Sequence, residues 1–154
     1  MYREMRKAER QVTQEEAAAL LRGGEYGILS MQGENGYAYG IPLSYVYDAD
    51  TIYFHCATEG KKLDCLAQNE KVSFCVVGAT QVLPEKFSTK YESAIAFGRA
   101  SLVEGEEKDA ALLALVEKYS PDFIAAGKDY IVKGKARTVV IKLAVEKISG
   151  KARR

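Results

Sequence analysis

The sequence predicts one mainly β domain with α-helices, its strands rolled into a barrel. Three observations carry that expectation. Short apolar-polar alternating runs recur along the chain, separated by turn signals. Helical spacing is confined to an opening segment, a short middle one and a longer one before Pro121. At 154 residues and 47% hydrophobic, the chain buries one core but has no second domain for a separate substrate site. A single domain over 1–154 is therefore expected, with any ligand site on it or between copies of it.

Thr13 followed by Glu16 makes a capping box, Ala17 to Leu21 continue a helix, and Gly23-Gly24 end it. Tyr26–Met31 (YGILSM) reads as a strand, and Asn35-Gly36 is a hairpin signal. In Tyr37–Tyr47 (YAYGIPLSYVY) the odd positions are Tyr37, Tyr39, Ile41, Leu43, Tyr45 and Tyr47, while the even ones are Ala38, Gly40, Pro42, Ser44 and Val46. One strand with a bulky face and a small, flat face is expected there. After Asp48-Ala49-Asp50, Thr51–Cys56 (TIYFHC) is its partner strand, and Ala57–Gly60 leads into a helix start at Lys61–Leu66. Lys71–Val77 is a strand, and Val82–Lys90, with Pro84 and Phe87, an ordered loop. Tyr91–Val103 is a long strand with Gly98 as a bulge or bend. Glu106–Tyr119 carries Leu112, Leu115, Val116 and Tyr119 at helical spacing and stops before Pro121, after which Thr138–Val145 closes the domain.

Lys plus Arg (22) nearly cancels Asp plus Glu (21), so a net charge of +1 gives no long-range field for nucleic acid or an anionic membrane. No apolar run approaches the roughly 20 residues of a membrane span, and MYREMRKAER lacks the apolar stretch of a signal peptide. A cytoplasmic protein with no nucleic-acid or membrane partner is expected. Cys56, Cys65 and Cys75 are odd in number and lack C-x-x-C spacing, which favours reduced packing residues. With His55 the sole histidine, neither a zinc cage nor a hydrolytic triad on Ser30, Ser44 or Ser93 is expected. No phosphate-loop or dinucleotide fingerprint follows a strand, which leaves Gly23-Gly24 and Gly33–Gly36 as cap and turn residues. The tyrosines read as sheet and interface packing. Lys147, Lys151, Arg153 and Arg154 read as a solvated tail, with phosphate or RNA binding as the other reading.

Two lysines in the first turn of the Lys61 helix oppose the helix dipole, an arrangement an anion would resolve. A solvated helix end is the alternative for such a pair. Together with the flat strand face, the site calls for a flat, phosphorylated cofactor whose phosphate meets Lys61, Lys62 and the amides after Gly60.

The series EYGILS at Glu25–Ser30, YGIPLSYVYD at Tyr39–Asp48, IYFHCATEGKKLD at Ile52–Asp64, KVSFCVVG at Lys71–Gly78, PEKFSTKYES at Pro84–Ser93, FGRA at Phe97–Ala100 and ISGKARR at Ile148–Arg154 covers nearly the whole chain in order. It resembles the pyridoxamine 5′-phosphate oxidase-like flavoproteins, nearest their nitroimidazole-resistance branch. The resemblance implies an FMN-binding split β-barrel and a homodimer with FMN at the subunit interface. It also implies an oxidoreductase that reduces a small-molecule acceptor, as nitroimidazole reductases do. A non-catalytic flavin-binding or storage protein and a haem-binding split-barrel relative are the alternatives. Carried onto matching positions, the cofactor contacts are Tyr39, Gly40, Ile41, Pro42, Leu43, His55, Cys56, Ala57, Lys61 and Lys62. Lys90, Tyr91 and Ser93 reach toward the flavin from the segment KFSTKYES. His55 is the catalytic candidate, and by residue type reads equally as a partly buried, satisfied strand residue. The chain departs from the branch at one place, where Lys61-Lys62 stands for a histidine followed by lysine. Lysine binds phosphate but does not titrate near neutral pH.

Overall fold

The structure, a computed structural model, describes residues 2–154. Its helices are α1 (Gln14–Gly23), α2 (Lys61–Gln68), α3 (Gly105–Tyr119) and α4 (Ile124–Gly134). Its strands are β1 (Gly27–Gln32), β2 (Ala38–Leu43), β3 (Val46–Asp48), β4 (Thr51–Cys56), β5 (Lys71–Leu83), β6 (Ser88–Val103) and β7 (Val139–Arg153). Both halves of the capping box form. The Glu16 amide donates to Thr13 Oγ1 at 3.1 Å, and the Thr13 amide donates to the Glu16 carboxylate at 2.9 Å. The chain reverses between β1 and β2 with Asn35 and Gly36 at φ 57° and 78°, the left-handed pair that a tight hairpin requires.

The single strand expected over Tyr37–Tyr47 is broken in two. Ser44 and Tyr45 leave the ladder, β2 pairs with β1, and β3 pairs with β4. The antiparallel sheet has the order β2-β1-β5-β6-β7-β4-β3, so its two edges are neighbours in the chain. A sheet whose edges are joined by so short a link must roll onto itself, and the unbonded seam between β2 and β3 is the split in the barrel. Alternation concealed the break because odd positions face inward on both sides of it. Tyr39, Ile41 and Leu43 are half-buried; Tyr45 and Tyr47 are buried.

Three further expectations change. Val82–Lys90 is not a loop: β5 runs to Leu83, Pro84–Lys86 form one 3-10 turn, Phe87 takes a left-handed φ of 50°, and β6 begins at Ser88. The basic tail is not frayed, because β7 stays paired with β6 as far as Arg153 opposite Tyr91. In β7, Ile148, Gly150 and Ala152 face the core while Lys151 and Arg153 alternate with them. α4 follows Pro121, where no helix was expected. The bulge at Gly98 does form. Phe97 faces Lys147 and Gly98 faces Val145, leaving Glu146 as the extra residue. Glycine is required there, since a Cβ would strike the Ala144 carbonyl oxygen.

Inside the barrel Tyr45 and Phe54 each meet Phe74 edge to face, with ring centroids 4.7 and 5.0 Å away. The Tyr45 hydroxyl donates to the Leu21 carbonyl, closing α1 over the barrel, where Ala17 and Leu21 join the core. A second, smaller core lies outside the wall: Val103, Ala111, Leu112 and Val140, with Tyr53 and Ile131 packed against it. Cys56, Cys65 and Cys75 are free thiols. Among the described residues no helix is long and apolar enough to cross a membrane.

Candidate functional site

Gly60 opens α2 at φ 152°, a backbone that favours glycine, and contributes no capping side chain. The first bonds of the helix run from the Leu63 and Asp64 amides to the Gly60 carbonyl, at 3.1 and 3.2 Å, which leaves the Lys61 and Lys62 amides without a backbone partner among the described residues. Lys61 Nζ lies 4.5 Å from the Tyr39 ring centroid and ties α2 to β2. Burial pushes the Cys56 thiol up, and the charge of Lys62 opposes that shift, which places Lys62 beside the end of β4. Neither lysine has a carboxylate within 4.0 Å among the described residues. Two free amides and two unpaired ammonium groups are donors only, the set that a phosphate monoester fits.

The even positions of β2 present the flat surface. Ala38, Gly40 and Pro42 are exposed, and a Cβ on Gly40 would stand 3.3 Å from Ile28 and 3.5 Å from the Ser30 hydroxyl. Pairing carries this face across the sheet, from Pro42 to Ile28, Cys75 and Ile95. Val77, two residues along β5 on the same face, is 60% exposed. The result is an apolar strip on the outside of the barrel.

His55 lies on the outer side of the wall, as the even positions of β2 do. Neighbouring strand residues point to opposite faces, so Cys56 packs against the barrel core while His55, opposite Val140, lines a cavity under α3 and α4. Burial holds the imidazole below its ordinary pKa. Lys90, Tyr91 and Ser93 lie elsewhere, on β6 next to the hairpin tip, with Tyr91 opposite Arg153 and Ser93 opposite Lys151. Lys90, Tyr91, Arg153 and Arg154 border a cavity of about 310 Å³. Burial pushes the Tyr91 phenol up, but the neighbouring cations Lys151 and Arg10 outweigh it and hold the phenol low. Arg153 Nη1 is buried without a hydrogen-bond partner among the described residues. Arg10, Lys151 and Arg153 thus form a cationic cluster that also suits an anion. The sequence offered phosphate binding by Lys151 and Arg153 only as the second reading of a solvated tail, although their charges alternating with Gly150 and Ala152 are a strand signal.

A rolled antiparallel sheet of seven strands, open at a seam beside a free helix start, defines a split β-barrel. Residues 13–152 match the family model described as pyridoxamine 5′-phosphate oxidase, and the chain belongs to that family. Similar solved structures include the FAD and haem binding protein of Mycobacterium smegmatis, with 22% identity and a TM-score of 0.82, covering 94% of this chain and 74% of that one. A candidate 5-nitroimidazole antibiotic resistance protein from Bacteroides thetaiotaomicron has 22% identity and a TM-score of 0.76, over 92% and 86% of the two chains. An FAD-binding protein of Mesorhizobium loti has 20% identity and a TM-score of 0.66, over 94% and 98%. At these identities the likeness is one of fold. No curated protein matches the chain in sequence.

Proposed function

We propose that the protein is a cytoplasmic FMN-dependent oxidoreductase that passes electrons to a small-molecule acceptor, and that it works as a homodimer with the flavin between its two copies. The observation that carries this reading is the start of α2, where free amides and two unpaired lysines stand beside Tyr39 of β2 and the end of β4. Family membership supports it. FMN, when bound, supplies the electron-transfer chemistry, and the chain supplies position and electrostatics. Lys61, Lys62 and their amides hold the phosphate. Gly40 and Pro42 offer the ring the flat face of β2, which Tyr39, Ile41 and Leu43 support from the barrel side, with Cys56 and Ala57 at the end of β4. Lys90, Tyr91 and Ser93 complete the site from the second copy. The apolar strip from Pro42 to Ile95 is the surface on which the copies meet, and sedimentation as a monomer that still holds FMN would refute the shared site.

Lys62→Ala tests the phosphate assignment. Losing one charge-assisted hydrogen bond costs about 1.5–3 kcal/mol, or about 10- to 150-fold in FMN affinity. Riboflavin, which lacks the phosphate, should lose far less; an equal loss for both ligands refutes the role of Lys62. The absorbance spectrum on anaerobic addition of NADH or NADPH separates the function classes. Bleaching, reversed by a nitroimidazole, marks a reductase, a stable oxidised flavin marks a binding protein, and a Soret band marks haem.

A further inference from the structure

We propose that Arg10, Lys151 and Arg153 form a second anion site, apart from the start of α2, and that it holds a compact phosphoryl dianion, either a small phosphate monoester or inorganic phosphate. Strand pairing brings these distant cations together. Lys151 lies opposite Ser93, and Arg153 lies opposite Tyr91, which is itself opposite Thr80. Directly paired residues of an antiparallel sheet share a face, so Thr80, Tyr91 and Arg153 make one row, and Ser93 and Lys151 the next. Gln11 bridges to Lys151 and the Val12 amide donates to the Gly150 carbonyl at 3.0 Å, which lays the N-terminal segment with Arg10 against β7. β7 ends at Arg153 while β5 and β6 run on as a hairpin, and a cavity of about 310 Å³ opens at that step.

The positive charge there is uncompensated. Arg10, Lys151 and Arg153 have no carboxylate within 4.0 Å among the described residues. Glu92 in the cavity wall is taken by Arg154 at 3.2 Å, and Arg154 also holds Glu16 at 3.4 Å. The buried Arg153 Nη1 lacks a hydrogen-bond acceptor, a cost that a ligand oxygen removes. A guanidinium meets two phosphate oxygens with its planar pair of N–H groups, and an ammonium adds a point charge. Burial would raise the Tyr91 phenol, but Lys151 and Arg10 hold it low, which sets both cations near its hydroxyl.

The surroundings favour a small ligand over a long polyanion. A nucleic-acid strand leaving the cavity past Arg154 meets the Glu92 and Glu16 carboxylates, and like charges brought together cost affinity. Under the shared-site reading, Lys90, Tyr91 and Ser93 turn toward the flavin of the second copy, and the anion sits at the margin of that site. The three cations belong to one chain, so the anion itself needs no second copy.

Inorganic phosphate titrated into the flavin-loaded protein at low salt, followed by calorimetry and phosphorus NMR, is expected to saturate. Phenyl phosphate in a parallel titration separates an ester from the free ion by which binds more tightly. The FMN phosphorus has its own resonance and should stay bound throughout. Arg153→Met and Lys151→Gln should each weaken added phosphate by about tenfold or more. Lys135→Gln, which removes a cation held by Asp109 of α3, should leave that affinity unchanged and so controls for net charge. Without phosphate, Arg153→Met should melt no lower than the natural protein, because it removes a buried donor that lacks an acceptor. A lower melting point would show that the guanidinium is satisfied within the chain and overturn the site. So would absence of saturation, equal affinity in all three variants, or a ribo-oligonucleotide that binds more tightly than either phosphate. Release of FMN by added phosphate, or its loss from Arg153→Met, would show that the flavin phosphate itself occupies the cluster. Lys62→Ala keeps the two readings apart: if it weakens FMN while added phosphate fails to bind, the second site alone is refuted.

Discussion

Inside the barrel, Phe74 is fully buried against Tyr45 and Phe54, and side chains from α1 and from strands on both sides of the sheet close around it. Outside the wall, Leu112 and Val140 share a smaller core that only α3 and Ile131 cover, and a cavity of about 390 Å³ opens beside it. The contrast separates two duties. A core closed from every direction fixes the strand geometry that a cofactor needs, whereas a core with a half-covered flank leaves room for a guest and for motion.

Truncation should expose that difference first. Phe74→Ala removes a ring held on all sides and is expected to cost about 3–5 kcal/mol. Leu112→Ala, next to space into which its neighbours relax, should cost near the low end of its class, about 2 kcal/mol. Urea unfolding of both variants measures the gap. Equal losses would mean that the outer core is as tightly held as the barrel, and the comparison would fail.

Lys118 stands between the two regions and gives the next effect. Its Nζ donates to the Tyr45 carbonyl at 2.9 Å and lies 3.7 Å from the Tyr45 ring centroid, and burial pushes its pKa down to about 8. A lysine with a folded pKa below its unfolded value binds fewer protons when folded, so stability rises with pH from about 8 toward about 10. Below that window the full cost of burying the cation remains. The phenols of Tyr45 and Tyr53, both raised mainly by burial, oppose the trend only above about pH 10. Lys118→Met should therefore flatten the rise between pH 8 and 9.5. Parallel curves for the two proteins would show that the carbonyl and ring of Tyr45 compensate the buried charge.

The elements that the sequence announced are those whose signal is local. Thr13 with Glu16, Asn35 with Gly36, and the lone Gly98 in a β-branched and apolar run each specify a backbone event within a few residues. The elements it concealed depend on distant partners. Nothing in the alternation of Tyr37–Tyr47 says that Leu43 and Val46 pair with opposite ends of the sheet. α4 buries none of its own residues and begins just past Pro121, where the preceding helix was expected to stop for good. Charges at Lys151 and Arg153 hid the strand that Ile148 and Ala152 anchor. The candidate site divides in the same way. Tyr39 with Lys61 and Cys56 with Lys62 come together as short spacing implied. The cavity of His55 is lined largely by helices far along the chain and had no local signature.

The smallest effect concerns what fastens the outer core to the barrel. Glu107, in the first turn of α3, accepts from the Tyr53 hydroxyl at 2.6 Å and from Lys142 Nζ at 2.9 Å, and so joins α3 to β4 and β7. The Tyr53 hydrogen bond first, and Lys142 second, hold the Glu107 carboxyl below its ordinary pKa. A carboxylate depressed in this way contributes stability above its unfolded pKa of about 4.3 and loses it as pH falls through the folded value. The group is open to solvent, so its effect on global stability should be slight and salt-sensitive. Its effect on local opening is the sharper test. Glu107→Gln should speed amide exchange in α3 and α4 at pH 6 while leaving exchange in β5 and β6 unchanged, and acidification toward pH 3 should make the natural protein resemble the variant. Equal acceleration in both regions would show that Glu107 supports the whole fold, and that the outer core does not open by itself.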